Sequence, residues 1–108
     1  LIMADLDQNT WKSQLDSESD YILIDVRTAE EFEELRIPGS INIDFYNPQN
    51  FIQELEKLDK SKSYYIYCRT GSRSANTCIL MEDMGFAKSY NLMGGITEWE
   101  GEVEGENK

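Results

Sequence analysis

The residues best suited to chemistry lie in one short loop, residues 68–73 (CRTGSR). An apolar run ends at Cys68, and a helical pattern follows the loop. A cysteine placed before a helix lies near backbone N–H groups without intrahelical partners and near the positive end of the helix dipole. Such settings lower a cysteine pKa from about 8.5 to roughly 3.5–7.5. Cys68 is therefore the predicted catalytic nucleophile, and it needs no histidine.

The other loop residues are of types that bind an anion. Gly71 permits a positive φ angle, which lets successive N–H groups point at one centre. Arg69 and Arg73 add two permanently charged, planar donor groups that suit a tetrahedral oxyanion. Thr70 and Ser72 supply hydroxyl donors or cap the helix. We predict that these five residues bind substrate, and that the substrate is an anionic, electrophilic sulfur or phosphorus compound.

The composition excludes several alternatives. The 108 residues include 21 Asp and Glu, ten Lys and Arg and no His, for a formal net charge of -11. Without histidine there is no Ser-His-Asp triad, no Cys-His dyad and no imidazole ligand for zinc. The negative field disfavours nucleic acid and anionic membrane surfaces. We predict no metal, no cofactor and no nucleic-acid partner, and we expect a monomer.

The second cysteine, Cys78, is expected to be structural. It lies ten positions after Cys68, so the two do not form a C-x-x-C redox pair, and a disulfide framework is not expected. In the predicted helix it falls on the same inward face as Ala75 and Ile79. Packing is therefore favoured over a role as a resolving thiol.

No segment approaches the roughly 18 consecutive apolar residues of a membrane span, and no charged-then-apolar leader precedes the domain. We predict no membrane span and, by default, a cytoplasmic location. Because the chain begins with Leu1 rather than Met, an export signal removed upstream stays open as an alternative.

The loop must be positioned by alternating strands and helices. Continuous apolar runs over 21–26 and 64–68 are typical of strands covered on both faces, and shorter strands are predicted at 41–43 and 89–92. Helix starts are predicted at the capping box formed by Thr28 and Glu31 and at Asn47-Pro48. A further helix should run over 72–84 and end at Gly85.

Two more helices are indicated, one around Trp11 and Leu15 and one around Ile96 and Trp99. The alternation predicts an α/β fold with a parallel sheet and helices on both faces. In such sheets ligands bind beyond the carboxyl ends of the strands, where residues 68–73 lie. We assign residues 1–100 to a single domain and expect the acidic tail, 101–108, to be frayed.

Four sequence motifs occur in an order that is typical of one protein family. They are Asp25-Val26-Arg27, the run Glu30-Glu31-Phe32 leading to Ile37-Pro38-Gly39-Ser40-Ile41-Asn42, the loop 68–73, and Gly94-Gly95 followed by Trp99. Together they resemble the rhodanese family over nearly the whole chain. That resemblance implies a rhodanese-like fold with a central five-stranded parallel sheet.

The resemblance also implies sulfurtransferase activity. The sulfane sulfur of thiosulfate, or of a similar small anionic donor, would pass to Cys68 as a persulfide. Cyanide, a low-molecular-weight thiol or a protein thiol would then accept it. Asp25 and Arg27 would support the loop or pair with nearby charges rather than react. Many members of the family carry His where this chain has Arg36, but that His takes no chemical part.

Two alternatives use the same fold. One is a persulfide carrier or protein-interaction module. The other is similar to Cdc25-type phosphatases and arsenate reductases, in which five residues separate the cysteine from the arginine. Here four residues separate Cys68 from Arg73, and Ser74 occupies the next position. Tyr67 also stands where that phosphatase signature usually has His, so the shorter loop favours sulfur transfer.

Overall fold

The computed structural model describes residues 1–107 of the chain, which form five strands and five helices in strict alternation. In chain order these are β1 (Ile2–Leu6), α1 (Gln8–Asp16), β2 (Tyr21–Asp25), α2 (Ala29–Glu34), β3 (Ile41–Asn42), α3 (Pro48–Glu56), β4 (Ser63–Tyr67), α4 (Ser72–Asp83), β5 (Lys88–Leu92) and α5 (Gly95–Glu98). The predicted α/β class is confirmed.

The strands form one parallel sheet in the order β1-β5-β4-β2-β3. The central strand β4 is buried along its whole length. Its side chains alternate between the two faces: Tyr64 and Ile66 pack on one face, and Tyr65 and Tyr67 on the other. Burial on both faces is the reason that this strand reads as a continuous apolar run.

Helices cover both faces of the sheet, as predicted. On one face the core includes Phe51 and Leu55 of α3 with Met81 of α4. On the other face it includes Trp11 and Leu15 of α1, with α5 alongside. Because β2 and β4 are parallel neighbours, their carboxyl ends lie side by side at one edge of the sheet, between the two layers of helices.

The first strand was not predicted from the sequence. β1 is an edge strand that pairs in parallel with β5 alone, and Ile2 and Asp5 on it are exposed. The apolar run at the start of the chain, residues 1–4, is short and is followed by Asp5, and so short a run does not by itself distinguish a strand from part of a helix. Its conformation follows from hydrogen bonding to a strand near the other end of the chain.

The inward face of α4 differs from the prediction at two positions, because Ala75 is only partly buried and Ile79 is exposed. Its buried residues are Ser74, Thr77, Cys78 and Met81, whereas Ile79 is 48% exposed. The buried set follows the i, i+3, i+4, i+7 spacing of a single helical stripe, and Ile79 lies off that stripe. The stripe includes two small polar residues, which a search for apolar residues misses. Gly85, with φ of 96°, follows the helix as predicted.

Residues 104–107, in the acidic tail that we expected to be frayed, make contacts with the rest of the domain. Glu104 and Arg36 exchange two backbone hydrogen bonds, of 2.8 and 2.9 Å, and their side chains form an ion pair at 3.0 Å. The N–H groups of Glu106 and Asn107 donate to carbonyl groups near the end of α2. The tail is ordered because it satisfies carbonyls that a helix end leaves without partners. Lys108 lies outside the described residues.

Within residues 1–107, no helix combines the length and the apolar character needed to cross a membrane. The same residues contain no group of three or more His, Cys, Asp or Glu that could hold a metal ion.

The assignment of the α4 faces can be tested by two truncations in one helix. We expect Met81→Ala to lower the free energy of unfolding by about 2–5 kcal/mol, because it leaves a cavity in the core. Ile79→Ala should cost less than about 1 kcal/mol, because its side chain is half exposed. Urea denaturation of both variants measures the difference, and equal losses would contradict the observed orientation of α4.

Candidate functional site

Residues 68–71 connect β4 to α4, and they wrap around the sulfur of Cys68. Gly71 is the N-cap of α4 and has φ of 107°, a conformation that residues with a Cβ rarely adopt. Its N–H donates to Cys68 Sγ at 3.1 Å. From the first turn of α4, the Ser74 N–H donates at 3.4 Å and its hydroxyl at 3.2 Å. The sulfur thus occupies a cradle of hydrogen-bond donors at the N-terminus of a helix.

These donors set the ionisation of the thiol. Burial raises the pKa of Cys68, since it disfavours the charged form. The hydroxyl and N–H of Ser74 and the N–H groups of Gly71 and Thr70 act in the opposite direction and outweigh burial. The pKa of Cys68 therefore lies below its ordinary value, as is required of a nucleophilic thiolate.

The loop backbone is held in place by α5 and β5. The carbonyls of Cys68 and Arg69 accept from the N–H groups of Ile96 and Thr97, both at 3.0 Å. At Gly95 an added Cβ would lie 2.3 Å from the Arg69 carbonyl oxygen, so only glycine allows this approach. The Gly71 carbonyl accepts from the amide of the buried Asn91 at 3.2 Å. These contacts hold the loop backbone against α5 and β5.

Asp25 and Arg27 form a buried ion pair at the carboxyl end of β2. Asp25 Oδ2 accepts from Arg27 Nη2 at 2.7 Å, and Oδ1 accepts from the Arg27 N–H at 2.8 Å. The guanidinium lies over the ring of Tyr67, 5.7 Å from its centroid. The Asn42 amide donates to the carbonyls of both Asp25 and Arg27, at 3.0 and 2.9 Å. The pair thus adjoins the last residue of β4, immediately before Cys68.

The two arginines of the loop are in different environments. Arg73 donates from Nη1 to Glu31 Oε1 at 3.1 Å and lies over the ring of Tyr46, 5.2 Å from its centroid. Arg69 is exposed, and its guanidinium has no hydrogen-bond or ionic partner among residues 1–107. It borders a cleft of about 450 Å³, here called the Arg69 cleft, which is lined by Arg27, Glu31, Glu34, Leu35, Arg69, Ile96 and Thr97.

Comparison with known proteins identifies the family of this chain. The family model described as the rhodanese-like domain matches residues 7–102. The chain belongs to the rhodanese-like domain family.

Relatives of this rhodanese-like domain carry names related to sulfur transfer. It is 38% identical over 96 residues to the Bacillus subtilis protein named "Putative sulfurtransferase YtwF", covering 89% of each chain. It is 31% identical to the "Putative sulfur carrier protein YrkF" of the same organism, over 94% of this chain and 54% of that protein. The crystal structure of a rhodanese-like domain protein from Staphylococcus aureus matches with a TM-score of 0.80 and 28% identity, over 96% of this chain and 99% of that one.

The structure brings only some of the predicted site residues to the sulfur of this rhodanese-like domain. Gly71 and the backbone of Thr70 contribute to the cradle around Cys68. The Thr70 and Ser72 side chains are exposed, and neither donates a hydrogen bond to the sulfur within the described chain. Asp25 and Arg27 bond to each other and to the backbone, and Arg73 bonds to Glu31.

Sequence reasoning missed Ser74, Glu31 and Asn91 as parts of the site. Ser74 was detectable, because it occupies the third position of the predicted helix, where N–H groups lack intrahelical partners. For Glu31, the sequence predicts a helix-capping residue within one of the four motifs, and it gives no sign of the contact with Arg73. Asn91 lies in β5, and no local pattern relates it to the Gly71 carbonyl.

Cys78 lies on the inward face of α4, as predicted, and it is fully buried. Burial raises the pKa of its thiol well above the ordinary value, and the charges of Asp5 and Cys68 act in the same direction. A thiol in this state is a poor nucleophile. The two cysteines of the chain thus differ in the direction of their pKa shifts.

Replacement of Ser74 by alanine should raise the pKa of Cys68, because it removes the strongest donor to the thiolate. At pH values below the pKa of Cys68 in the unmodified protein, we expect the variant to react with iodoacetamide about tenfold more slowly. This factor is the lower end of the effect of losing a hydrogen bond to a charged group. The rate of alkylation as a function of pH measures the change, and its midpoint should move to higher pH.

Ser13→Ala provides the matched control, since Ser13 is exposed on α1, remote from the loop. It should leave the pH profile unchanged. A Ser74→Ala profile that coincides with that of the unmodified protein would show that the cradle does not depend on the hydroxyl.

Proposed function

We propose that the protein is a single-domain sulfurtransferase that moves sulfane sulfur from thiosulfate, or a similar small anionic donor, through a Cys68 persulfide to a thiophilic acceptor. The observation that carries this proposal is the set of donors around Cys68 Sγ, namely the Gly71 N–H and both the N–H and hydroxyl of Ser74. Membership of the rhodanese-like family and relatives named for sulfur transfer support it.

In the first step the sulfonate oxygens of thiosulfate bind to Arg69, Arg73 and N–H groups of the loop, with the Thr70 and Ser72 hydroxyls as further donors. The Cys68 thiolate attacks the outer sulfur and forms a new S–S bond. The original S–S bond breaks, and its electron pair leaves with sulfite. The lowering of the Cys68 pKa supports this step, because attack on sulfur requires the ionised nucleophile.

In the second step cyanide, a low-molecular-weight thiol or a protein thiol attacks the outer sulfur of the persulfide. The electron pair of the S–S bond returns to Cys68 as the thiolate. The cradle stabilises the leaving thiolate by the same hydrogen bonds that lower its pKa. One set of donors therefore serves both half-reactions.

Asp25 and Arg27 act as positioning residues in this proposal. Their buried ion pair and the Asn42 amide order the end of β2, which hydrogen-bonds to the last residue of β4 through the Val26 N–H at 3.1 Å. Cys68 follows that residue directly. Rigid support of a nucleophile by neighbouring strands preserves its orientation.

A persulfide carrier is the second candidate, favoured by the similarity to a relative named a sulfur carrier protein. An enzyme turns over repeatedly with excess donor and acceptor, whereas a carrier is loaded by one protein and unloaded by another. Phosphatase and arsenate reductase activities are disfavoured by the length of the loop, because Ser74 stands where those enzymes have arginine and instead bonds to Cys68. An aryl phosphate and arsenate serve as test substrates.

Incubation with thiosulfate should add the mass of one sulfur atom to the protein, located at Cys68, since this thiol alone is activated. Cys68→Ser should abolish both this adduct and thiosulfate:cyanide sulfurtransfer. Intact-mass spectrometry and a thiocyanate assay measure the two effects. Cys78→Ala is the matched control and should retain both, because the Cys78 thiol is buried. Sulfurtransfer by Cys68→Ser would refute the mechanism.

The dependence of turnover on salt should reflect the net charge of -11. An anionic donor is repelled by the protein as a whole and attracted locally by Arg69 and Arg73. We expect kcat/KM for thiosulfate to increase as moderate salt, around 0.1 M, screens the long-range repulsion. Initial rates across a sodium chloride series measure it. A steady decrease from the lowest salt upward would mean that local attraction dominates.

A further inference from the structure

The Arg73 guanidinium is held between a carboxylate and an aromatic ring. Glu31 accepts from it through both oxygens, with distances of 3.1 Å to Nη1 and 3.4 Å to Nη2. The Tyr46 ring lies against it, with a centroid distance of 5.2 Å. The side chains of Arg73 and Glu31 are only 14% and 27% exposed. The positive charge of Arg73 is therefore matched by the negative charge of Glu31.

Glu31 is fixed in this position by its own helix. Its Oε1 accepts from the Thr28 N–H at 3.1 Å, and the Glu31 N–H donates to the Thr28 hydroxyl at 3.2 Å, which completes a capping box. Burial raises the pKa of Glu31, but the hydrogen bonds from Arg73 and Thr28 outweigh burial and lower it. The carboxylate is thus ionised at neutral pH.

The positive charges beside the nucleophile are offset by negative ones. Arg69 and Arg73 contribute two positive charges, and the Cys68 thiolate and Glu31 contribute two negative ones. Glu34, which also lines the Arg69 cleft, adds another negative charge. Four of the six residues of α2 are glutamates, so the wall on this side of the loop is acidic. A dianion gains little from such a site, whereas an anion of single charge can use the free donors of Arg69 and Arg73 with less repulsion.

We propose that Glu31 determines which donors the site accepts, and that it favours sulfane donors of single negative charge, such as thiosulfonate and alkyl persulfide anions, over dianionic thiosulfate. Glu31 acts here through Arg73 and is a positioning residue rather than a catalytic one. The inference rests on the proposed sulfur transfer at Cys68 and specifies its substrate class.

With a thiosulfonate the transfer step balances without any added oxidant or reductant. The Cys68 thiolate forms an S–S bond with the terminal sulfur of the donor. The bond between that sulfur and the sulfonyl sulfur breaks, and its electron pair leaves with the sulfinate. With an alkyl persulfide the leaving group is the thiolate, and no proton is required in either case at a pH where donor and product are ionised.

The test uses two donors that differ by one charge, methanethiosulfonate and thiosulfate, with cyanide as the acceptor. In Glu31→Gln, the glutamine oxygen still accepts from the Thr28 N–H, so the capping box is preserved. We expect its kcat/KM for thiosulfate, relative to that for methanethiosulfonate, to rise about tenfold through a lower KM, with kcat nearly unchanged. The ratio between donors cancels their different intrinsic reactivities.

Glu30→Gln is the matched control, because Glu30 is exposed in the same turn of α2 and forms no ion pair with either loop arginine within residues 1–107. It removes an equal charge and should change the donor ratio much less. The wild-type protein gives a second measurement that needs no variant. Its ratio of kcat/KM for thiosulfate to that for methanethiosulfonate should increase with sodium chloride concentration.

Failure of this inference can be distinguished from failure of the proposed function. If both donors form the Cys68 persulfide but Glu31→Gln leaves their ratio unchanged, or lowers both values equally, Glu31 has only a structural role and the inference is overturned. A wild-type donor ratio that does not respond to salt would also overturn it. If neither donor adds sulfur to Cys68, the proposed sulfur transfer itself is wrong.

Discussion

The convergence of hydrogen-bond donors on the Cys68 sulfur is the interaction on which the rest of the site depends. A buried thiolate is costly unless charged or dipolar groups face it, because burial removes the stabilisation by water. Here Gly71 and Ser74 supply that stabilisation from the start of α4. Since the donors belong to a helix terminus, they stay oriented whether or not substrate is bound. The chain therefore lowers the pKa of a cysteine without the imidazole that it lacks.

The surrounding structure keeps the hydrogen-bond donors around Cys68 in position. The N-terminus of α5 holds two loop carbonyls, Asn91 holds a third, and the Asp25–Arg27 pair orders the adjacent strand end. Each support comes from a different element of the sheet or its helices. This arrangement explains why the carboxyl edge of a parallel sheet suits such a site, since several strand ends and helix starts converge there.

At this carboxyl edge of the sheet, the loop places two arginines, Arg69 and Arg73, in a protein whose net charge is negative. The Arg69 guanidinium has no ionic partner among residues 1–107, whereas Arg73 is paired with Glu31 and lies against Tyr46. The net charge of -11 describes the protein as a whole and says little about the balance of positive and negative charge beside the loop. The charges beside the loop decide it: those of Arg69 and Arg73 are positive, and those of Glu31 and Glu34 are negative.

By itself the sequence determined the alternation of elements and the position of the loop at residues 68–71, and it predicted Cys68 as the nucleophile. These depend on local signals: apolar runs, the capping box at Thr28 and the glycine before α4. Only the tertiary structure decided that β1 is a strand, that residues 104–107 pack on α2, and that Glu31 meets Arg73 across 42 positions of sequence. It also placed Ile79 outside the core and Ser74 inside it. All of these features have one of two physical causes. They depend either on contacts between segments that are distant in the chain or on the exact rotation of a helix. A local sequence pattern encodes neither cause.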